Sequence, residues 1–154
     1  MFRPTSPQLS LMESQYLVSA KKRQRLERSW AESFRTRVLP LIDEELFRSC
    51  FDEDNGRPNA SIRMLVGLHL LKEADDLTDA QVLDALEFNI QWQYALGVTP
   101  ADAHVCEKTL HNFRHKLMEN ERAKQVFEQL TEALMKADGL SSVRQRLDST
   151  HVIS

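Results

Sequence analysis

The sequence predicts an all-α fold: a compact multi-helix domain containing a helix-turn-helix-like pair, followed by the first strand of a further unit. Three observations carry this. Glycine and proline are scarce, at 4 and 5 of 154 residues, which argues against a turn-rich all-β architecture and against collagen-like repeats. Leu, Ala, Glu, Lys and Arg recur at helical rather than alternating spacing through most of the chain. Hydrophobic residues make up 42% and charged residues 28%, which suits one globular core and is too apolar for a disordered chain. Twenty Lys and Arg against 23 Asp and Glu leave a net charge of -3, so composition alone names no polyanionic partner. Two cysteines, Cys50 and Cys106, cannot form a disulfide framework, and no apolar leader opens the sequence. An intracellular, reducing, cytoplasmic location is therefore expected. The most apolar stretch, Ile62 to Leu71, is broken by Arg63 and His69 and is about half the length of a membrane span, so no membrane partner is expected.

Taken in order, residues 1–19 hold Pro4, Pro7 and scattered Leu9, Leu11, Tyr16 and Leu17, the composition of a poorly ordered arm. Residues 21–37 carry seven basic side chains against Glu27 and Glu32, a local charge of +5. Leu26, Trp30, Phe34 and Val38 recur every fourth position and predict one stripe of a basic amphipathic helix. Pro40 can open the next helix, with Leu41, Ile42, Leu46, Phe47 and Phe51 as its apolar stripe and Asp43, Glu44 and Glu45 in its first turn. Residues 52–58 read as a turn around Asn55-Gly56. Asn59 or Ser61 can cap a helix whose residues 62–71 are apolar nearly all round, the expected centre of the core.

Thr78-Asp79-Ala80-Gln81 has the form of a capping box, and Val82, Leu83, Leu86 and Ile90 then keep helical spacing up to a stop at Gly97. A loop through His104 leads to an amphipathic segment whose buried face is predicted to be Leu110, Phe113 and Leu117. Asn120 can cap a last helix, with Ala123, Val126, Phe127, Leu130, Leu134 and Ala137 on one face and Gly139 as its stop. The helical domain is thus expected over residues 20–140. Beyond it, residues 146–153 alternate like an opening strand that lacks a partner within residues 141–154, the expected mark of a truncated second domain.

Several side chains are candidates for chemistry. Lys108, His111, Asn112 and His115 fall opposite Leu110, Phe113 and Leu117, with Arg114 and Lys116 flanking. Lys and Arg can contact phosphate or guanine, and Asn can pair with adenine through two hydrogen bonds. The same pattern also describes the solvated face of an ordinary bundle helix. Lys21, Lys22, Arg23, Arg25 and Arg28 can neutralise phosphates without reading sequence, or simply be solvated. Residues 73–87 carry six carboxylates and no Lys or Arg, so they should face away from DNA or pair with the basic helix. His104, Cys106, His111 and His115 offer four zinc-ligand types, but the first two stand too close for the usual spacing. Asp148, near the start of the predicted strand, can serve as a first Mg²⁺ ligand, although one carboxylate cannot hold a two-metal site.

Gly56-Arg57-Pro58, Ile62-Arg63-Met64-Leu65-Val66-Gly67-Leu68-His69-Leu70-Leu71-Lys72, Leu77-Thr78-Asp79 and Phe88-Asn89-Ile90-Gln91-Trp92-Gln93-Tyr94-Ala95-Leu96-Gly97 resemble the N-terminal domain of bacterial insertion-sequence DDE transposases. Lys108-Thr109-Leu110 with Phe113-Arg114 and Leu117 looks like the same family's signature. The resemblance implies a helical domain ahead of an RNase H-like catalytic domain, with Asp148 matching the first acidic residue of the DDE triad. Residues 1–154 contain no counterpart of the later Asp and Glu, so on this reading they neither cut nor join DNA unaided. The implied role is binding transposon terminal inverted repeats. No cofactor is expected for the fragment itself, with Mg²⁺ belonging to the full-length family. A homodimer or an intact transposase is the implied protein partner. The alternatives are a dimerisation module built on Leu26, Trp30 and Phe34, and a degenerate remnant without DNA affinity.

Overall fold

The computed structural model describes residues 18–50 and 60–136. Its order is α1 (Ala20–Glu27), α2 (Trp30–Ser33), a π-helical turn (Phe34–Val38), two 3₁₀ segments (Leu39–Leu41 and Glu44–Cys50), α3 (Ile62–Asp75), α4 (Asp79–Phe88), α5 (Ile90–Leu96), α6 (Glu107–Glu119) and α7 (Glu121–Lys136). The described residues contain no strand, in keeping with the predicted all-α class. The expected arm, the turn at 52–58, Gly139 and the expected strand with Asp148 lie outside the described residues, except that Val18 and Ser19 are described.

The core is organised around α3. The Ser61 hydroxyl accepts from the Met64 amide at 3.2 Å and opens the helix, while left-handed Asp76 (φ 51°) closes it. Ile62 and every residue from Met64 to Leu71 are buried, so α3 has no solvated stripe, as expected for a helix enclosed by its neighbours. Those neighbours are α4, α5, α7 and the second 3₁₀ segment. Gly67 faces α5 so closely that a Cβ there would stand 2.5 Å from Leu96 Cδ2. The missing side chain lets Leu96 fill that space.

The basic segment is not one helix. The Ser29 hydroxyl donates to the Leu26 carbonyl at 2.7 Å and accepts from the Ala31 amide at 3.3 Å. It thereby ends α1 and begins α2, a local competition with helix continuation that Ser favours. Leu26, Phe34 and Val38 still reach the core, and Trp30 packs against it half-buried. The expected helix after Pro40 is likewise two 3₁₀ pieces; Phe47 of the second and the extended Ile42 between them are buried, while Leu41 is left 55% exposed. Pro40 sits in the first turn of the shorter piece, and the Asp43 carboxylate accepts from the Glu45 amide before the longer one.

Thr78 and Gln81 form a complete capping box at the start of α4. The helical spacing that continues through Ile90 hides a break. Asn89 is extended, and its side-chain oxygen accepts from the Gln91 amide at 2.9 Å, which starts α5 as a separate helix. Gly97 closes α5 at φ 65°, where an L side chain is strained. Asn120 caps α7 by accepting from the Ala123 amide. Among the described residues no helix is long and apolar enough to cross a membrane.

Candidate nucleic-acid interface

Helix α6 begins after Cys106, whose backbone is extended and whose side chain makes no capping hydrogen bond. The Cys106 sulfur lies 3.0 Å from Thr109 Oγ1, and this contact, aided by the Thr109 and neighbouring backbone amides, lowers the thiol's proton affinity. Leu110, Phe113 and Leu117 are buried, as the spacing predicted. The opposite face carries Lys108, His111, Asn112 and His115, all exposed. The two imidazoles stand 6.5 Å apart between ring centres. His115 Nδ1 lies 3.2 Å from Glu119 Oε2, one turn further on.

Arg114 does something different from its neighbours. Its Nη1 reaches both carboxylate oxygens of Asp79, at 2.8 and 3.0 Å, and Lys72 Nζ stands 3.7 Å from the same carboxylate. The Arg114 hydrogen bond holds the Asp79 carboxyl below its ordinary range. Asp79 is in the first turn of α4, so one ion pair joins α4 to α6 and absorbs one of the six carboxylates of residues 73–87. Sequence offered no signal for this pair, because its members are 35 residues apart.

Behind the helix, His69 of α3 is 3% exposed. Its Nδ1–H donates to the Leu65 carbonyl at 2.8 Å, which leaves Nε2 as the acceptor nitrogen, and that atom is buried without a partner. The ring packs 5.3 Å from Phe113 of α6 and 6.4 Å from Phe127 of α7. Burial, more than the nearby Arg114 and Lys72 charges, lowers the pKa of His69 below its ordinary 6.5.

In α1, Lys21, Lys22 and Arg25 are exposed, as is Arg28 at its C-cap, whereas Arg23 is half-buried. Further along the same segment, Arg35 Nη1 donates to the Tyr94 carbonyl at 2.9 Å, with its guanidinium carbon 5.0 Å from the Tyr94 ring centre. The Tyr94 hydroxyl donates to Glu32. Burial first, and then Glu32, pushes that phenol's pKa well above its ordinary value. This pair of ties fastens the basic segment to α5, and no spacing in the sequence points to it.

Among the described residues no three His, Cys, Asp or Glu side chains come together so as to hold a metal ion. His104, Cys106, His111 and His115 therefore do not form one cluster. Asp148 lies outside the described residues, so no step of metal chemistry is assigned to the residues described.

The geometry defines a class: a helical domain that seats one helix by its apolar face and presents a polar, hydrogen-bonding face outward. The chain belongs to a transposase domain family, since the family model described as Transposase domain (DUF772) matches residues 21–116. That interval opens at the start of α1 and closes within α6, so it includes both the basic helix and most of the polar face. No curated protein and no solved structure matches the chain.

Proposed function

We propose that this transposase-family domain binds transposon-end DNA through the outer face of α6. The observation that carries the reading is the division of that helix: three apolar side chains are buried in the core, while Lys108, His111, Asn112 and His115 stand exposed in two rows along the other side. None of those four residues is among the buried residues of the core. On this reading Lys108 contacts phosphate and Asn112 pairs with an adenine edge in the major groove, while the imidazoles supply further hydrogen bonds. Arg114, held by Asp79, sets the orientation of the helix instead of touching DNA. Lys21, Lys22, Arg25 and Arg28, with the half-buried Arg23, add phosphate contacts that carry no sequence information.

Anisotropy titration of a duplex carrying the element's terminal inverted repeat, against a scrambled duplex, tests this. Asn112→Ala should remove roughly 1–3 kcal/mol of discrimination between the two. Lys108→Ala should weaken both duplexes alike and reduce the salt slope by about one. Unchanged affinity when Lys108, His111, Asn112 and His115 are all replaced by Ala would overturn the reading.

A further inference from the structure

The expected dimerisation stripe is not available for pairing subunits, because Leu26 and Phe34 are buried in their own domain. Another surface is. Where α4 meets α5, Phe88 is 75% and Ile90 39% exposed, beside a shallow depression lined by both and by Asp84, Ala85, Asn89 and Gln91. Asp84 and Glu87 are exposed on this end of α4, one helical turn apart. Helix α1 and its C-cap present the opposite pattern, with Arg25 exposed on the last turn, Arg28 exposed at the cap and Lys21 one turn before Arg25. Both α2, to which α1 is attached, and α4 pack on α5. Among the described residues the acidic corner and the basic helix make no ion pair with each other.

We propose that the α4–α5 corner docks the basic α1 helix of a second copy of this chain. A guanidinium can lie flat on an exposed phenyl ring while donating to a neighbouring carboxylate, and Asp84, one turn before Phe88 on α4, lines the same depression as that ring. Arg25 in the last turn of α1 and Arg28 at its C-cap are three positions apart, as Asp84 and Glu87 are on α4, so the two cations can meet the two carboxylates together. A two-fold dimer satisfies the arrangement twice, since each copy gives an α1 and receives one. Corner-to-corner pairing would instead set Asp84 and Glu87 against their own copies, a like-charge contact that disfavours it. Because these cations are also the phosphate contacts of the proposed DNA-binding mode, end DNA and a second copy exclude one another at α1, an exclusion that rests on that mode.

Sedimentation equilibrium with charge-swapped variants tests the dimer without DNA. The native chain should associate reversibly, more weakly as salt is raised. Asp84→Lys with Glu87→Lys should weaken association at least tenfold, and so should Arg25→Glu with Arg28→Glu. An equimolar mixture of the two variants should associate again, because both interfaces of the mixed dimer then pair opposite charges. Phe88→Ala should weaken the native dimer while circular dichroism stays unchanged. A native chain that remains monomeric at low salt overturns the proposal, as does a dimer that neither swap weakens, or a mixture that stays apart. Loss of DNA binding on replacing Lys108, His111 and Asn112 leaves all of these outcomes in place, so the two readings fail separately. Displacement of the dimer by duplex DNA should follow α1, and dimers that bind DNA without dissociating would remove the exclusion.

Discussion

Helices α3 and α6 are nearly the same length, 14 and 13 residues, yet they spend their side chains in opposite ways. In α3 nine residues are buried, including a histidine with an unpartnered ring nitrogen. In α6 only Leu110, Phe113 and Leu117 are buried, Arg114 is held by Asp79, and Lys108, His111, Asn112 and His115 stand exposed on the other side. The difference separates what the molecule needs in order to fold from what it can offer to a partner. Substitution in α3 should act on stability, and substitution on the outer face of α6 on binding alone.

The sharpest way to break this comparison is truncation in α3. Leu68→Ala removes a fully buried side chain and should cost roughly 2–5 kcal/mol in denaturant unfolding; a loss under 1 kcal/mol would mean that α3 is not the centre of the core. Acidification is the next test. His69 is a base whose folded-state pKa lies below its unfolded value of 6.5, so the unfolded chain takes up the proton first. Its stabilising contribution is complete above pH 6.5 and falls away as pH drops below it, by at most about 1.4 kcal/mol per pH unit. The melting temperature should decline between pH 7 and pH 5, and His69→Leu should flatten that decline.

Smaller effects sharpen the boundary between the helices. Arg114→Ala should destabilise by about 1 kcal/mol, a value discounted because more than a third of its side chain is exposed, and a double-mutant cycle with Asp79→Ala should recover that coupling. Asn112→Ala should have the least effect on folding, within about 0.5 kcal/mol and with a slight gain from helix propensity. A thermal melt checks this, and a large loss would show that the outer face of α6 belongs to the fold.

The parts of the fold legible in the sequence were those set by local pattern. The capping box of Thr78 and Gln81, the cap of Asn120, the cap of α3 narrowed to Asn59 or Ser61, the stop at Gly97 and the apolar triplet of α6 all depend on residues within a few positions of one another. The uniformly apolar run in α3 was equally plain. Two breaks were concealed because the four-residue spacing runs straight across them. Ser29 interrupts Leu26–Trp30–Phe34, and Asn89 interrupts Leu86–Ile90, each through a side-chain hydrogen bond that periodicity does not register. Of the candidate interface, the exposed row of α6 could be placed by helical spacing. That Arg114 is held by Asp79, and Arg35 by Tyr94, could not, since such pairing follows from how helices cross.

The closeness of α3 and α5 at Gly67 bears on how fast a partner could bind. With Leu96 filling the space over Gly67 and Arg35 fastened to the Tyr94 carbonyl, α5 is pinned from two sides, and the corner it forms with α4 is presented ready-made. A partner that seats there meets little ordering cost. Encounter would be governed by long-range attraction and would slow as ionic strength rises, while residence time would depend on the close contact around Phe88.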